Sequence, residues 1–515
     1  QCWRRNTDSP PPRYSVPQPP AGTVPARIPG FQSDTFPSLK DDVTWFWTTF
    51  DLPETNAFCE AALSTAMATY ISEWWVNGVR VGRCEGRGLF EDYPCTQALR
   101  KGRNTVALRL AMPSGTNRVD GVSRRDMVAM GDGVVGTFSW SGGGVFHPVE
   151  VVLRGDVRAE KPVVRADWRT GRVTADYRLR NGRGAPVPLR LVATVTDPKG
   201  ETVFARALDR TAAPGDTDES LSFDVPRHLL WSVDEPNLYT LSFLAEPATG
   251  VAQRTDVAFG FRDLRVSSDG WFELNGKRLL VKGGSLVAGV GTMGAVTRPE
   301  LVRKQIWQAK SAGFNMIRLH FTTAWPEMVD LCDRIGLLVI CSHGASWLER
   351  RAKPVSPNLK GDFLRHLLAE VDHNINHPSV VAWEMQNETL LDEVHQWCRD
   401  ALQPLRDRDP TRLVFVGSGR FDSDVSLGSV SNPGSRTWEC LWGVEGEKVP
   451  WTGDRREEER RFFEKRFWGA PDSPFPARPD RGPYGDVVVA WDARRGDIHA
   501  YFRSPLHEAS QYVLR

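Results

Sequence analysis

The sequence of 515 residues lacks a charge excess, a cysteine framework and long apolar runs, and each lack excludes a class of protein. Lys and Arg total 65 against 64 Asp and Glu, whereas a generic nucleic-acid binder carries a basic excess. No stretch reaches the roughly 18 apolar residues of a membrane-spanning helix. The eight cysteines are too few for a disulfide scaffold, and no CxxC pair occurs, so a structural zinc site is not expected.

The remaining composition is that of a large globular protein. Hydrophobic residues make up 40% and charged residues 25%, which excludes overall disorder. At about 150 residues per domain, the length predicts three to four domains. Trp is frequent, at 19 against 8 Tyr. Trp stacks on sugar faces but is also a common core residue of β-sandwiches, so we assign most of these residues to cores. The compartment and the oligomeric state stay open.

The first half of the chain has the short strand-like runs, separated by turn residues, that are typical of β-sandwiches. Residues 1–40 are Pro-rich and predict an extended lead-in. Residues 41–155 contain short strand-like runs, and Asn77-Gly78 within WWVNGVRVG predicts a type I′ hairpin turn, which needs positive φ. Residues 156–264 contain regularly spaced strands separated by Gly, Pro and Asp turns, which is typical of one immunoglobulin-like sandwich.

In residues 265–515 the predicted strands alternate with helices. RPELVRKQIWQAKSAGF is helical with Pro299 in its first turn, and PEMVDLCDRIG is helical with Gly336 as a C-cap. NMIRLHF, LLVICSHG, VVAWEMQNE and LVFVGSG are predicted strands. This alternation indicates a parallel sheet or a (β/α)8 barrel. Residues 435–482 break it and are expected to be an insertion, after which VVVAWD and GDIHAYF predict further strands.

Polar residues stand where the predicted strands end, and that edge of a βα-barrel holds the active site. They are Arg318, His320, Ser342, His343, Asn387, Glu388, Ser418, His499 and Tyr501. Glu388, beside Asn387, has the position of a general acid whose pKa is raised by its surroundings. A solvated glutamate that caps the next helix is, from position alone, an equal alternative.

Several segments, in the correct order, resemble glycoside hydrolase family 2, the family of β-galactosidases, β-glucuronidases and β-mannosidases. HPSVVAWEMQNE resembles its acid/base segment. WFWTTFDLPE, WWVNGVRVG and GGGVFHPVEVVL resemble its sugar-binding jelly roll, and LWSVDEPNLYTLSF with VAFGFRDLRV resembles its immunoglobulin-like domain. FELNGKRLLVKGG and AGFNMIRLHF resemble its barrel. The resemblance covers roughly residues 45–420. It implies a jelly-roll β-sandwich, an immunoglobulin-like β-sandwich and a (β/α)8 TIM barrel that is incomplete in this sequence.

The resemblance also implies a reaction, the retaining hydrolysis of a β-linked glycoside or oligosaccharide. Glu388 is then the general acid/base, and Asn387 binds the sugar 2-hydroxyl. Retention needs a second carboxyl group about 5 Å away as nucleophile. The family's nucleophile ends the seventh barrel strand and GDIHAYF resembles the sixth, so the nucleophile is expected beyond Arg515. The other expected substrate ligands are Arg318, His320, His343, His499 and Tyr501.

No cofactor and no metal are expected. Asp372, His373 and His377 are spaced like metal ligands at a helix end, but a helix C-terminus favours histidine for dipole reasons alone. VAGVGTMG is Gly-rich but lacks the lysine of a phosphate loop and the spacing of a dinucleotide fingerprint.

The sequence departs from the family pattern at its sugar ligands. Arg318-Leu319-His320-Phe321 stands where the family often has Arg-Thr-Ser-His, and Ser342-His343 replaces an acidic residue after the third strand. The Asn-x-Lys pair of glucuronidases is absent, so the sugar is unassigned. Two alternatives stay open: a non-catalytic carbohydrate-binding or scaffold protein on the same fold, and a glycosidase of a related barrel family.

Overall fold

The structure is a computed structural model. It describes residues 2–5, 23–31, 43–53, 58–86, 90–112, 118–123, 144–266, 272–286, 299–319, 324, 326–346, 359–387, 392–418, 487–492 and 497–502. Within these ranges the strands are numbered β1 to β31 and the α-helices α1 to α4 in chain order.

The first thirteen strands form antiparallel sheets, and two of these sheets pack as a β-sandwich. A five-stranded sheet in the order β1-β3-β9-β6-β7 faces the three-stranded sheet β13-β4-β8, while β2-β12-β5 and β10-β11 form two smaller sheets. The strands are β1 (Cys2–Arg5), β2 (Gly30–Phe31), β3 (Val43–Leu52), β4 (Glu60–Thr65), β5 (Ala68–Thr69), β6 (Ile71–Val76), β7 (Val79–Glu85), β8 (Glu91–Pro94), β9 (Gly102–Ala111), β10 (Arg118–Val119), β11 (Val122–Ser123), β12 (Gly144–Val145) and β13 (Glu150–Arg154). A 3₁₀ helix covers Thr96–Ala98.

Side chains on the five-stranded sheet alternate between two cores, as strand geometry requires. Phe46 and Trp74 point towards the three-stranded sheet. Trp45 and Trp75 point to the other face, into a core shared with the βα region. The prediction that Trp residues of this part belong to cores is confirmed for these three tryptophans. The predicted hairpin turn between β6 and β7 is confirmed too, with φ of 48° at Asn77 and 83° at Gly78.

The next eight strands form two four-stranded antiparallel sheets around one core. In one sheet β16 lies between β15 and β19 and also pairs with β14, and the other has the order β18-β17-β20-β21. The strands are β14 (Val157–Ala159), β15 (Val163–Ala166), β16 (Arg172–Asn181), β17 (Val187–Thr196), β18 (Thr202–Ala212), β19 (Gly215–Asp224), β20 (Tyr239–Pro247) and β21 (Gln253–Phe259). In β17 every second side chain is buried, from Val187 to Val195, which is the pattern of a strand with one solvated face.

Five parallel strands follow, each separated from the next by a helix. Their order in the sheet is β25-β26-β27-β28-β29, the order of the chain. The strands are β25 (Gly283–Leu286), β26 (Met316–Leu319), β27 (Leu338–Ser346), β28 (Val380–Asn387) and β29 (Leu413–Ser418), and the helices are α1 (Pro299–Ser311), α2 (Pro326–Ile335), α3 (Leu359–Asn374) and α4 (Asp392–Arg408). The predicted βα alternation is confirmed here. Pro299 opens α1, and Gly336, at φ 73°, follows α2.

The two faces of the parallel sheet bury different cores. Ile317, Trp383 and Met385 pack with the helices and with the N-terminal sandwich. Met316 and Ile340 face the opposite side, where they contact a small antiparallel sheet. That sheet consists of β22 (Leu264–Val266), β23 (Phe272–Leu274) and β24 (Lys277–Arg278). Because Met316 and Leu338 begin their strands and pack on this sheet, it lies under the amino ends of the parallel strands.

The last two described strands pair with each other in antiparallel fashion. They are β30 (Val487–Asp492) and β31 (Asp497–Phe502). The prediction of strands in VVVAWD and GDIHAYF is confirmed, but they form a hairpin instead of extending the parallel alternation. Only four residues separate them, and a parallel crossover needs a dozen or more. Across this pair His499 lies opposite Ala490, and Tyr501 lies opposite Val488.

Hydrogen bonds fix the second sandwich to the βα region. The indole of Trp231 donates to the backbone oxygen of Asp333 at 2.8 Å. The amide of Asn376 donates to Pro162 O at 2.7 Å and accepts from Val164 N at 2.8 Å. All of these partners are buried or half-buried, so the contact is specific. Among the helices in the described ranges, none has the length and apolarity that crossing a bilayer requires.

Candidate active site

The carboxyl ends of the parallel strands meet at one edge of the sheet. Ser346 of β27 pairs with Asn387, the last residue of β28, and Asn387 pairs with Ser418, the last residue of β29. Three strands therefore end side by side, and Glu388 follows Asn387 directly in the chain. This is the edge at which βα-barrels hold their catalytic groups.

Several predicted site residues lie outside what the structure describes. Glu388 and His320 are outside the described residues, as are the side chains of His343, Asn387, His499 and Tyr501. The backbones of His343 and Asn387 belong to β27 and β28, which places both residues towards the carboxyl ends of their strands. His499 and Tyr501 lie on the hairpin strand β31.

Arg318 makes a bidentate ion pair with a residue that the sequence analysis did not select. Its Nε lies 2.6 Å from Oε2 of Glu384, and its Nη2 lies 2.5 Å from Oε1. The two residues belong to β26 and β28, which are separated by β27. Glu384 is 1% exposed and the Arg318 side chain 16%. A guanidinium and a carboxylate in this arrangement neutralise each other and fix both orientations.

The sequence carried a signal for Glu384. In VVAWEMQN, Trp383 and Met385 pack on the helices, so Glu384 must point to the other face of the strand. A carboxylate in a buried strand needs a partner of opposite charge. Arg318, within the apolar run NMIRL, is the corresponding lone cation. Two lone opposite charges in buried strands therefore each indicate a need for a partner, but the sequence does not show that they pair with each other.

Ser342 lies next to this ion pair. It is the register partner of Glu384 on β27 and is fully buried. Within the described ranges its Oγ has no hydrogen-bond partner. A buried hydroxyl without a hydrogen-bond partner is costly, because its desolvation is not compensated. Ser342 lies midway along β27, four residues before Ser346, the last residue of the strand.

The amino end of β28 is held by a dense set of polar contacts. Arg262 donates to Pro378 O at 2.9 Å and to Val380 O at 2.5 Å. Asp333 accepts from the backbone N–H of Ser379 at 2.9 Å. These contacts fix where the strand begins, and hence how far its carboxyl end reaches.

The outer face of β28 is anchored as well. The indole of Trp383 donates to Asp409 at 2.8 Å. Burial tends to raise the pKa of Asp409, but Arg412 and the bonds from Thr411 and Trp383 hold it below the ordinary value. The carboxylate is therefore charged and rigidly bound. It keeps the strand that precedes Glu388 in one position.

The three residues spaced like metal ligands at the end of α3 do not converge. Asp372 pairs with Arg408 in an ion pair, while the ring of His373 stacks on Phe90 with centroids 3.8 Å apart. His377 Nδ1 lies 2.6 Å from Asp333. Burial, together with the charge of Lys161, lowers the pKa of His373 to about 3. Each residue thus has a structural role of its own.

Comparison with known proteins decides the family. Residues 156–262 match the family model described as glycosyl hydrolases family 2, and residues 265–432 match the TIM barrel domain of the same family. The chain belongs to glycoside hydrolase family 2. The two matched regions contain both sheets of the second sandwich and all five parallel strands. The family 2 resemblance that the sequence predicts is confirmed.

Curated relatives of this family 2 chain carry two different activity names. A putative beta-glucuronidase of Formosa agariphila is 25% identical over 410 residues, which is 77% of this chain and 36% of the relative. A beta-galactosidase of Aeromonas hydrophila is 29% identical over 375 residues, 68% of this chain and 33% of the relative. This chain therefore spans about a third of the length of these relatives.

Solved structures agree in fold. The crystal structure of a beta-glucuronidase of Bacteroides uniformis aligns with a TM-score of 0.69 and 17% identity, covering 88% of this chain and 55% of that chain. At this identity the likeness establishes the architecture alone. Substrate choice has to come from the side chains at the strand ends.

Proposed function

We propose that the protein containing this chain hydrolyses β-O-glycosidic bonds with retention, with Glu388 as general acid/base. The supporting observation is the placement of β28, whose last residue, Asn387, ends beside two other parallel strands and immediately precedes Glu388. In this proposal Glu388 first protonates the leaving oxygen and then takes a proton from the attacking water. Asn387 binds the sugar 2-hydroxyl.

The proposal needs a second carboxylate, and Glu384 does not meet the requirement. It lies four residues before Glu388 in the sequence, and four residues of extended strand span about 13 Å at 3.3 Å per residue. A retaining pair is only about 5 Å apart. Both carboxylate oxygens of Glu384 also accept bonds from Arg318. We therefore assign the nucleophile to a residue outside the described ranges, and the expectation that it follows Arg515 stays part of the proposal.

The other strand-end side chains complete the proposed site. The proposed ligands of a β-linked glycoside or oligosaccharide are His320, His343, His499 and Tyr501. Arg318, whose Nε and Nη2 face the carboxylate of Glu384, is a further proposed ligand. The proposed domain bounds are 41–155, 156–264 and 265–515 after a lead-in of residues 1–40, with an insertion near 435–482.

The experiment is a rate comparison on a panel of nitrophenyl β-glycosides, using the gene product that contains this chain. Glu388→Ala should lose turnover of poor leaving groups by a factor of about 100 or more, and azide should restore part of the rate by replacing the base-activated water. Glu201→Ala, at an exposed position in the second sandwich, is the control and should keep full activity.

Two results would overturn the proposal. Equal turnover by the wild-type protein and Glu388→Ala would remove Glu388 from the reaction. Saturable binding of oligosaccharides in calorimetry, without turnover of any glycoside in the panel, would instead establish a carbohydrate-binding protein on the same fold.

A further inference from the structure

Three side chains of different chemistry meet where the N-terminal sandwich contacts the βα region. Cys84 lies on β7, Glu91 on β8 and His366 on α3. The thiol Sγ, a carboxylate oxygen and a ring nitrogen all lie within 4.8 Å of one another. The thiol donates to Glu91 Oε1 at 3.3 Å. Thiolate, imidazole and carboxylate are the ligand types that Zn²⁺ takes in proteins.

A cation already lies among these three atoms, namely the guanidinium of Arg365. Its Nη1 is 2.6 Å from Glu91 Oε1, and its Nη2 is 2.8 Å from His366 Nε2 and 3.7 Å from Cys84 Sγ. Arginine has donors only, so Nε2 of His366 accepts this bond and the proton of the neutral imidazole is on Nδ1. The lone pair of Nε2 therefore points towards the positive charge.

Within this cluster, Cys84 and His366 are buried, whereas Arg365 is partly exposed to solvent. Cys84 is 4% and His366 1% exposed, whereas the Arg365 side chain is 45% exposed. Gly86, at φ 103°, approaches the imidazole so closely that a Cβ there would lie 2.7 Å from Cε1 of His366. The backbone of Gly86 thus confines the ring, while the guanidinium side of the cluster is partly exposed to solvent.

We propose that Cys84, Glu91 and His366 form a binding site for Zn²⁺ or a similar thiophilic divalent cation, with Arg365 displaced to solvent. On binding, the Cys84 thiol loses its proton to water, the thiolate and the carboxylate supply two negative charges, and the imidazole binds through Nε2. Water completes a tetrahedral set. Ligand atoms at about 2.0–2.3 Å from zinc lie about 3.3–3.8 Å apart, so the 4.8 Å cluster must contract slightly.

The sequence spacing hides such a site because its ligands come from two separate structural units. Burial, with Glu91 beside it, raises the pKa of the Cys84 thiol to about 12, so the sulfur is protonated while Arg365 provides the charge. A bound metal would connect β7 and β8 to α3 by three bonds in place of hydrogen bonds. It would therefore fix the N-terminal sandwich against the βα region, away from the strand ends.

A second cluster of potential metal ligands in the described residues does not support a metal site. It consists of Asp330, Asp333 and His377. Asp333 already accepts from Ser379 N–H and from His377, and Lys161 adds a positive charge beside both aspartates. This cluster also has no thiol, so it lacks the soft ligand on which the proposal for Cys84 depends.

Cobalt replaces zinc in the test because a cobalt–thiolate bond absorbs in the near ultraviolet. The full chain, freed of metal with a chelator, is titrated with Co²⁺ alone. We expect one equivalent to produce a sulfur-to-cobalt charge-transfer band and tetrahedral visible bands, and added Zn²⁺ to remove them. Cys84→Ser should lose the charge-transfer band, and Glu91→Gln should weaken binding by about tenfold or more. Cys59→Ser, at a half-buried cysteine outside the cluster, should leave the spectrum unchanged.

Arg365→Ala gives the sharpest result, because removing the competing cation should tighten Co²⁺ binding by about tenfold or more. If the cluster is only an ion-pair contact, neither the wild-type protein nor Arg365→Ala will show the sulfur-to-cobalt charge-transfer band. That outcome overturns the proposal. A band that survives Cys84→Ser overturns it as well. If Cys84→Ser fails to unfold cooperatively, the weaker Co²⁺ binding expected of Glu91→Gln, at a partly exposed position, tests the site, and unchanged binding overturns the proposal.

Discussion

Arg318 and Glu384 face each other across β27, with Nε 2.6 Å from Oε2 and Nη2 2.5 Å from Oε1. The pair joins the second and fourth of the five parallel strands on the face that does not pack on the helices. It lies just before the strand ends at which Asn387 stops β28. The geometry of the proposed site therefore depends on an ion pair inside the sheet as well as on the groups at its edge.

Removing the carboxylate of Glu384 should strongly destabilise the protein. Glu384→Ala leaves the largely buried Arg318 guanidinium without its bidentate partner, which costs about 3–5 kcal/mol in the free energy of unfolding. Urea denaturation measures this loss. Asp218→Ala breaks the exposed pair between Arg178 and Asp218 and should cost less than about 1 kcal/mol. Similarly small losses in both variants would show that the Arg318–Glu384 pair contributes no more to the free energy of unfolding than an exposed ion pair does.

Ser342→Ala should leave stability unchanged or raise it by up to about 1 kcal/mol, because it removes a buried hydroxyl without a partner in the described ranges. The matched variant is Ser379→Ala, whose Oγ is also buried without such a partner but lies at the amino end of β28. Both should behave alike in thermal unfolding. Only Ser342→Ala should raise KM for β-glycosides, and equal KM values would place Ser342 outside the substrate site.

The stability of the protein should fall as the pH is lowered, because His373 binds a proton more readily in the unfolded state than in the folded state. Its pKa is lowered to about 3 in the folded state, against about 6.5 in an unfolded chain, mainly by burial and then by Lys161. Between these values the unfolded state binds more protons, so the free energy of unfolding rises with pH and this gain is complete above about pH 6.5. The slope for one proton is about 1.4 kcal/mol per pH unit.

His373→Phe tests this assignment because it retains a ring to stack on Phe90 but cannot take up a proton. Urea denaturation between about pH 4 and 5.5 should give a pH dependence of the unfolding free energy that is lower by nearly one proton in His373→Phe than in the wild-type protein. An unchanged slope would mean that His373 is already protonated in the folded protein, or that its pKa is ordinary.

Two glycines that follow helices allow the stability cost of backbone strain to be measured separately from the cost of a steric clash with another structural unit. Gly336 after α2 and Gly313 after α1 both have positive φ, at 73° and 85°. A Cβ at Gly336 would lie 2.3 Å from Val233 O, whereas a Cβ at Gly313 would meet no atom within 4 Å. Gly313→Ala should cost about 1 kcal/mol from φ alone, and Gly336→Ala clearly more. Equal losses in thermal unfolding would show that Val233 moves away freely.

Local patterns in the sequence were enough to predict the elements of this protein. The period of apolar residues predicted the helices and strands from Pro299 to Ser418, and Asn77-Gly78 predicted its hairpin turn. These features arise within a few residues, from backbone φ preferences and from which face of an element is apolar. The predicted strand in VVAWEMQNE placed Glu388 at a strand end, and the family 2 resemblance implied its role as general acid/base.

Only the tertiary structure decided which distant side chains meet. Arg318 and Glu384 are 66 residues apart, and Cys84 and Arg365 are 281 apart. The antiparallel hairpin of β30 and β31 and the stacking of His373 on Phe90 were equally invisible in the sequence pattern. Such pairings depend on strand register and on how separate sheets and helices pack, and a shift of one residue in register turns every side chain of a strand to the other face.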